Sequence, residues 1–463
     1  GRLSLIIIDP PLQIIGKNDS FVINALNERG RKLISLLDTN VFPYAKHLKT
    51  SDEFISGYIT CENKFLEEAK RLKQQNISYV IRGLLDFFKC SDRFLGLYGA
   101  FSYDFIRLFE SIPNIQEDID VPDFNLFFSD FVVSFDHLKE QAYGHLYDFF
   151  EFDIPKERYL ESRLAYIEHM QIIKPTASTF NRSLIEYEAN MVTQDEYIEM
   201  VDKAKEQIRI GEIFEIVLSH PRYFKFNCDP VSLYKKFRAI NPSPYLFYVN
   251  FGNEYLVGAS PEMFLRIENG LVQTRPISGT VKRGENALDD YDNMMELLNS
   301  LKEKSELDML VDLARNDLSR VCKPGVEVKD YRFVEKYSRV MHTVAHVEGY
   351  LDSDRFSPFD AFIASLNAGT LTGAPKIAAM RLIEQYEKSR RGYYGGNVGY
   401  ITFSDRLDFG IIIRTAYIKD GIAEVRVGAT LLYDSDPKSE YIETLNKGSA
   451  FFDILHSLEQ GLN

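Results

Sequence analysis

The sequence has no tryptophan and only four cysteines among its 463 residues. The cysteines are Cys61, Cys90, Cys228 and Cys322. They are far apart and form no CxxC pair, which argues against a disulfide framework or a cysteine-based metal site. We therefore expect reduced thiols, as in a cytoplasmic protein. No apolar run approaches the roughly 18 residues of a membrane-spanning helix, and no signal peptide is recognisable before the first strand-like segment.

Net positive charge is lacking as well. The formal net charge is −14, whereas nucleic-acid-binding domains need a basic face. We expect neither nucleic acid nor a membrane as a partner. An acidic protein that binds an anionic metabolite must concentrate positive charge locally, through a metal ion or a few Arg and Lys side chains. The content of 45% hydrophobic and 26% charged residues is that of a globular protein with a large core.

Short strand-like runs alternate with helical segments, which predicts an α+β fold with mainly antiparallel sheets and helices packed outside. We expect an amino-terminal half over residues 1–175 and a second half over residues 190–460, packed as one unit. Thr193-Gln194-Asp195-Glu196 fits a capping box that opens a helix. The predicted strands include Tyr79–Ile81, Phe131–Phe135 and Asp408–Ile418.

A helical segment near the carboxyl end carries closely spaced charges. Glu440 and Glu443 lie one turn apart on the same face, and Lys447 follows Glu443 by four residues. This pattern is typical of a surface Glu–Lys pair. It is also typical of a site where carboxylates hold Mg²⁺ beside a cation for an acidic substrate. The spacing alone does not decide between the two interpretations.

A second helical segment contains Glu306, which borders a stripe of apolar residues. A carboxylate in that position is either at the edge of the core or paired, because burying it alone is costly. The pattern fits a functional and a structural Glu306 equally well. In the same segment, Arg315 and Asp317 are close enough in sequence to form a structural ion pair.

Turns that contain glycine follow several strands of the second half. They span residues 258–262, 278–280, 369–376 and 428–430. Small residues let backbone N–H groups approach an anion, although each turn alone is ordinary, and none matches a P-loop or a dinucleotide fingerprint. Together with Arg414, beside the apolar run Phe409–Ile413, they indicate a carboxylate-binding pocket. His342 is one of eight histidines; a lone His is usually structural, but a pKa near neutrality would suit proton abstraction.

Taken together, these segments closely resemble anthranilate synthase component I, a branch of the chorismate-utilising enzymes. The match extends from Gly211 to Lys447 without a large gap, and Tyr98–Asp104 is its clearest part in the amino-terminal half. Its other main segments are Asn241–Tyr245, Arg275–Thr280, Val311–Asp317, Gly369–Lys376, Arg390–Gly399 and Glu443–Lys447. The resemblance implies a β-sandwich core and a reaction in which chorismate and ammonia yield anthranilate and pyruvate for tryptophan biosynthesis.

The resemblance also implies which residues bind the metal and the substrate. Glu306 and Glu443, with Glu440 beside them, would hold Mg²⁺, which bridges to the ring carboxylate of chorismate. Tyr394 and Arg414 would hold the enolpyruvyl carboxylate, because an Arg fork can bond both of its oxygens. The other implied substrate-binding residues are Gly279, Thr280, Lys447 and, through backbone N–H groups, Gly428, Ala429 and Thr430.

Further roles follow from the same resemblance. Glu262 is the candidate acid that protonates the departing C4 hydroxyl, and His342 would remove the C2 proton as pyruvate leaves. Glu215 stands where water-adding isochorismate synthases carry a Lys base, so it favours ammonia as the nucleophile, although many anthranilate synthases have Gln there. Ser278 replaces the Lys with which aminodeoxychorismate synthases attack the ring. Thr430 stands where Gly is common, and its backbone donor should survive.

The expected partners also follow from the family. No glutamine amidotransferase half is recognisable, so ammonia is expected from a separate subunit, a lost fused domain or free ammonium. Family members are inhibited by tryptophan, which binds between a Leu-Leu-Glu-Ser segment and the strand that follows Asn241. The first element would precede Gly1, and the inhibitor contacts expected here are Pro244, Tyr245 and Leu246. An oligomer is expected.

Two other functions remain open. One is a 2-amino-2-deoxyisochorismate synthase, which stops before pyruvate is lost; His342 favours the complete reaction. The other is a non-catalytic, tryptophan-sensing subunit. The presence of Glu306 and Glu443 argues against it, since a binding protein has no use for a pair of Mg²⁺ ligands.

Overall fold

The computed structural model describes residues 3–61, 68–149, 158, 161–165, 191–337 and 340–459. In this part of the chain no helix is long and apolar enough to cross a membrane. The principal helices are α1 Glu28–Leu36, α2 Glu68–Arg71, α3 Ser78–Phe87, α4 Gln194–Arg209, α5 Pro230–Ile240, α6 Ala287–Asn299, α7 Leu301–Ser319, α8 Pro358–Ser365, α9 Gly369–Thr372, α10 Lys376–Tyr386 and α11 Pro437–Glu459.

The strands of the first half are β1 Leu3–Ile7, β2 Leu12–Lys17, β3 Ser20–Ala25, β4 Lys46–Thr50, β5 Phe54–Tyr58, β6 Gly96–Phe101, β7 Phe124–Ser129, β8 Phe131–Asp136 and β9 Gln141–Leu146. Those of the second half are β10 Glu215–Lys225, β11 Tyr245–Asn250, β12 Glu254–Ser260, β13 Met263–Glu268, β14 Leu271–Thr274, β15 Ile277–Lys282, β16 Glu327–Lys336, β17 Val340–Tyr350, β18 Gly373–Ala374, β19 Asn397–Thr402, β20 Leu407–Ile411, β21 Thr415–Lys419 and β22 Ile422–Leu431.

Two large antiparallel sheets organise the molecule, which confirms the predicted α+β fold. A 13-stranded sheet has the order β15-β17-β14-β13-β20-β19-β6-β7-β2-β3-β5-β4, with β16 beside β17. A 6-stranded sheet has the order β11-β12-β21-β22-β10-β18, and β1-β8-β9 form a small third sheet. The two large sheets contact each other through an apolar cluster that includes Ala100 and Val398 from the larger sheet and Leu256 from the smaller one.

The 13-stranded sheet contains strands from both halves of the sequence. β6 pairs with β19 along their length, and Gly99 lies opposite Gly399. The expected connection between the halves falls mostly on residues 166–190, which lie outside the described residues. The domain boundary therefore stays a prediction.

The helix predicted to begin at Thr193 is confirmed as α4. The Thr193 side chain accepts a hydrogen bond from Glu196 N, and the Glu196 side chain accepts one from Thr193 N, which together satisfy two backbone donors. Tyr197, Val201 and other apolar side chains on one face are buried. Gly211 follows with a φ of 85°, a conformation that glycine adopts without steric cost.

Two predicted strands were wrong. Tyr79–Ile81 belongs to helix α3, whose buried Val80, Ile81 and Leu84 recur at helical spacing. A short apolar run cannot by itself distinguish a strand from a buried helix turn. The predicted strand Asp408–Ile418 is two strands, β20 and β21, in different sheets. The chain crosses between the sheets at residues 412–414.

Helices cover the outer face of the smaller sheet. One apolar cluster joins Phe224 of β10 and Val425 of β22 to Phe237 of α5 and Phe451 of α11. A second joins Ile216 of β10 to Tyr197 of α4 and Ile383 of α10. The larger core lies against the 13-stranded sheet and includes α3, α7 and α8. The sites discussed below lie where α7, α10 and α11 meet the ends of these strands.

Candidate active site

Arg414 occupies the crossing between the two large sheets. Its φ is 51°, in the left-handed region that non-glycine residues seldom adopt, and its carbonyl accepts a hydrogen bond from Ala259 N at 3.1 Å. Burial lowers the pKa of the guanidinium, and the nearby Tyr394 opposes this shift. In the part of the chain that the structure describes, no carboxylate forms an ion pair with Arg414. A half-buried cation that has no carboxylate partner among the described residues is suited to an anionic ligand.

An open edge of β22 lies beside Arg414. β21 pairs with β22 only as far as the pair Ala416↔Val425. On the other side of β22, Val217 and Ser219 of β10 lie opposite Thr430 and Gly428. The carbonyl of Val217 and the N–H of Ser219 bond to Arg391 and Glu387 instead of to β22.

The alternation of antiparallel hydrogen bonds then assigns the backbone directions in β22. Gly428 and Thr430 direct their N–H groups to the open edge, whereas Ala429 directs its own toward Leu218 of β10. Of the three backbone donors implied by the resemblance, two are therefore available to a ligand. The Tyr394 hydroxyl lies close by, since a Cβ added to Gly428 would be 2.8 Å from it. Tyr394 and Arg414 thus meet at this edge.

Four carboxylates gather on the other side of the site. Burial raises the pKa of Glu306 to about 7, and the nearby Glu303 raises it further. The pKa of Glu303 is itself raised by burial and by Glu443, and that of Glu440 by burial and by Glu443. Lys447 contributes positive charge: its Nζ lies 2.7 Å from Glu443 Oε1 and donates to the carbonyl of Gly428 at 3.2 Å. Lys302 also opposes the pKa shifts of Glu306 and Glu440, yet the pKa values of both carboxyl groups stay raised.

The fit of this cluster to a metal ion rests on two observations. Glu440 is 4% exposed, and its Oε2 is buried without a hydrogen-bond partner. Burial and the nearby Glu303 raise the pKa of Glu306 to about 7, although Lys447 and Lys302 oppose the shift. Among the described residues, no three His, Cys, Asp or Glu side chains converge closely enough to hold a metal by themselves. Mg²⁺ needs only one or two protein carboxylates, because water and substrate oxygens complete its coordination.

His342 lies on β17, opposite Thr280 of β15. Its Nδ1 is 3.0 Å from the carbonyl of Gly279 and 2.9 Å from Thr280 Oγ1. Because a carbonyl only accepts, Nδ1 carries the hydrogen and Nε2 presents its lone pair. Burial and the nearby Arg414 together lower the pKa of His342 to about 4. His342 is therefore neutral at physiological pH, with one nitrogen free to take a proton.

The β15 strand is irregular where it supports His342. Gly279 has a φ of 69° and sits at a break in the pairing of β15 with β17. A Cβ added there would lie 2.7 Å from Glu303 Oε2. A larger residue would therefore disturb both the His342 contact and the carboxylate cluster.

Burial acts strongly on two further carboxyl groups, those of Glu262 and Glu215. Burial raises the pKa of Glu262 to about 8, and that of Glu215 to about 8 with a further contribution from Glu306. Glu215 is fully buried at the start of β10, and neither of its oxygens has a hydrogen-bond partner among the residues that the structure describes. Both groups are protonated at neutral pH. Glu262 lines a cavity of about 40 Å³, which Thr370 and Ile411 also line.

The chain is similar to known proteins over most of its length. Residues 41–453 match the family model described as chorismate binding enzyme. The chain is 40% identical over 410 residues to anthranilate synthase component 1 of Acetivibrio thermocellus, which covers 85% of this chain and 82% of that relative. The chain belongs to the anthranilate synthase component I branch of the chorismate-binding enzymes.

Solved structures support the assignment to this family. The crystal structure of anthranilate synthase component I from Streptococcus pneumoniae TIGR4 matches with a TM-score of 0.72 at 29% identity, over 97% of this chain and 92% of that one. MenF, the menaquinone-specific isochorismate synthase from Escherichia coli, matches with a TM-score of 0.65 at 17% identity, over 98% of this chain and 94% of that one. The second match shows that the fold is shared.

The residues of the predicted tryptophan site lie on β11 and just before it, apart from the carboxylate cluster. Tyr245 pairs with Ser260 and Leu246 with Ala259, while Pro244 is exposed. The Tyr245 hydroxyl donates to Asp408 Oδ1 at 2.7 Å, so its polar end is already occupied. Tryptophan binding at this site stays a prediction.

Two features of the site were not predicted from the sequence. Glu303, one turn before Glu306 on α7, belongs to the carboxylate cluster; its spacing of three residues was a signal that went unused. The buried pair Arg391–Glu387 lies behind β10, and only its place beside Tyr394 in the sequence hinted at it. The predicted ion pair between Arg315 and Asp317 was wrong, because Asp317 pairs with Lys376 at 2.6 Å.

Proposed function

We propose that this chain is the aminating subunit of a Mg²⁺-dependent anthranilate synthase, a lyase that converts chorismate and ammonia to anthranilate, pyruvate and water. The observation that carries the proposal is the opposition of charges across one site. In the described part of the chain Arg414 forms no ion pair with a carboxylate at the open edge of β22. Glu306, on the other side, lies among further carboxylates, and its pKa stays raised although Lys447 and Lys302 are near. Chorismate has two carboxylates, and the two sides of the site suit one each.

The ring carboxylate belongs on the acidic side, which it can approach only through a cation. Glu306 and Glu443 would hold Mg²⁺, with Glu440 beside them. The ion, when bound, neutralises this carboxylate and polarises the ring to which it is attached. Lys447 adds positive charge at the same side and is fixed there by Glu443 and the carbonyl of Gly428.

The enolpyruvyl carboxylate belongs at the edge of β22. Arg414 offers a bidentate fork, and the N–H groups of Gly428 and Thr430 with the Tyr394 hydroxyl supply further donors. These donors are fixed by the sheet before the ligand arrives, so little ordering is required on binding.

In the first step ammonia attacks C2, the ring double bonds shift, and the C4 hydroxyl leaves as water. Hydroxide is a poor leaving group, so the departing oxygen needs a proton. Glu262 can supply it, because burial keeps its carboxyl group protonated up to about pH 8. Glu215 lies buried at the position where a Lys would favour water, and its carboxyl group can accept a hydrogen bond from ammonia.

In the second step the C2 proton is removed, the C3–O bond breaks and the ring becomes aromatic. The enolate of pyruvate leaves and takes up a proton at its methylene carbon to give pyruvate. His342 is neutral and presents Nε2 as a base, while the carbonyl of Gly279 fixes the ring through Nδ1. Proton removal and aromatisation together make the elimination favourable. Ammonia would come from a glutamine amidotransferase partner or from ammonium salts, and tryptophan is a proposed inhibitor.

The test is to incubate the purified chain with chorismate, MgCl₂ and ammonium chloride at alkaline pH, following anthranilate fluorescence and pyruvate together. Equal amounts of both products, abolished by EDTA, are expected. Chorismate consumed without either product would indicate a 2-amino-2-deoxyisochorismate synthase. No consumption at all would contradict the proposal and favour a non-catalytic subunit.

A further inference from the structure

A buried ion pair connects the parts of the site that bind carboxylate. Arg391 and Glu387 have side chains that are 1% and 2% exposed, and their closest atoms are 2.6 Å apart. Arg391 also donates to the carbonyl of Leu371 at 2.5 Å and to that of Val217 at 2.7 Å. Glu387 Oε1 accepts from Ser219 N at 2.7 Å and from Ser219 Oγ at 2.9 Å. Both members of the pair thus hold β10.

The pair bonds to β10 at Val217 and Ser219, and the partners of these two residues on β22 are the proposed backbone donors. Val217 lies opposite Thr430, and Ser219 lies opposite Gly428. By engaging the carbonyl of Val217 and the N–H of Ser219, the pair fixes which backbone groups of β10 turn away from β22. The alternation of the ladder then requires Gly428 and Thr430 to direct their own N–H groups to the open edge. A slip of one residue would reverse every one of these directions.

The pair also contacts Tyr394, which lies on the same side. The Arg391 guanidinium carbon is 5.8 Å from the centre of the Tyr394 ring and 4.7 Å from that of Tyr103. The carbonyl of Arg391 accepts a hydrogen bond from Tyr394 N at 3.1 Å. The Arg391–Glu387 pair therefore contacts both Tyr394 and the part of β10 that lies opposite Gly428.

We propose that Arg391 and Glu387 are positioning residues for substrate binding, which set the open edge of β22 and Tyr394 to receive a carboxylate. This inference rests on the proposed function, because chorismate is the ligand whose carboxylate would be bound. Neither residue touches the ligand. Their effect should therefore appear in the affinity for chorismate, and the interaction is made equally with substrate and transition state.

The test uses a substitution that conserves charge. Glu387→Asp keeps the carboxylate but shortens the side chain by one methylene, so that it cannot reach Ser219 and Arg391 together. We expect the KM for chorismate to rise about tenfold, as for the loss of about one charge-assisted hydrogen bond. The kcat and the KM for ammonium should stay within about twofold.

A matched control lies three residues earlier, within helix α10, which ends just before Glu387. Glu384 is 5% exposed and accepts hydrogen bonds from Arg107 Nη2 at 2.5 Å, Ile115 N at 2.8 Å and Gln116 N at 2.9 Å. Glu384→Asp therefore shortens a buried carboxylate of the same kind without touching β10. It should lower the unfolding midpoint about as much as Glu387→Asp does, and leave the KM for chorismate unchanged.

Ser219→Ala is a second variant that keeps the ion pair and removes only one hydrogen bond to Glu387. We expect a rise of about threefold in the KM for chorismate; this variant decides the matter if Glu387→Asp does not fold. An unchanged KM in the folded variants, with stability lowered as in the control, would show that the pair is only structural. A wild-type chain that does not turn over chorismate would instead refute the proposed function and this inference with it.

Discussion

The role of Glu262 can be tested through its protonation. Glu262→Gln keeps the shape of the side chain and removes the proton that the departing hydroxyl requires. General acid catalysis contributes about 10²- to 10⁴-fold, so kcat should fall by that factor. In the wild type, kcat at a fixed concentration of free ammonia should fall as pH rises through about 8, where Glu262 loses its proton. This falling limb of the pH–kcat profile should be absent from the residual activity of Glu262→Gln.

The same substitution should change the pH dependence of stability. The pKa of Glu262 rises from 4.5 in the unfolded chain to about 8 in the folded one, so the folded state binds the proton more tightly. The associated stabilisation is complete below pH 4.5 and is lost as pH rises through 8. A shift of this size corresponds to about 5 kcal/mol. Glu262→Gln has no carboxyl group to titrate at this position. Its free energy of unfolding should therefore fall less steeply than that of the wild type between pH 4.5 and about pH 8.

Both effects are measurable with standard assays. Initial rates between pH 6 and pH 9 give the falling limb, and urea unfolding at the same pH values gives the free energy of unfolding. Glu215→Gln is the control for the limb, because the pKa of Glu215 is also raised to about 8 although the group is not the proposed acid. A Glu262→Gln enzyme that kept the wild-type kcat and the limb would refute the assignment.

Three further predictions concern neighbouring residues. His342→Met should leave amination of chorismate intact and slow pyruvate loss, so that the aminated diene acid accumulates in a chromatographic assay; undiminished anthranilate output would make His342 structural. Glu306→Ala should reduce turnover by at least about 100-fold and weaken Mg²⁺ binding measured by calorimetry, whereas Asp312→Ala, at an exposed position on the same helix, should do neither. Gly279→Ala should lower the free energy of unfolding by about 1–3 kcal/mol, since its φ of 69° and the nearby Glu303 both oppose a Cβ; a thermal melt unchanged by this substitution would contradict that account.

Local signals in the sequence predicted local structure well. The capping box at Thr193 and the Glu443–Lys447 spacing are both found as expected, because each depends only on residues within about one helical turn. The strand predicted over Tyr79–Ile81 failed because three apolar residues fit either a strand or the buried face of a helix.

Features that depend on distant parts of the chain could not be predicted in the same way. The split of Asp408–Ile418 into β20 and β21 is set by which sheet each part joins. Asp317 finds its partner Lys376 at a separation of 59 residues, while the nearer Arg315 bonds to Asp312. Likewise, the choice between Gly428, Ala429 and Thr430 as donors follows from the ladder with β10.

Both halves of the chain contribute strands to the 13-stranded sheet, which affects any attempt to express one half alone. β19, which begins at Asn397, has β20 on one side and β6 of the other half on its other side. A fragment that starts near residue 190 would lose β6 and expose the backbone N–H and C=O groups along one side of β19. Unpaired strands of this kind recruit strands from other molecules. Such a fragment should therefore precipitate when expressed alone and recover solubility when the first half is supplied as a separate chain.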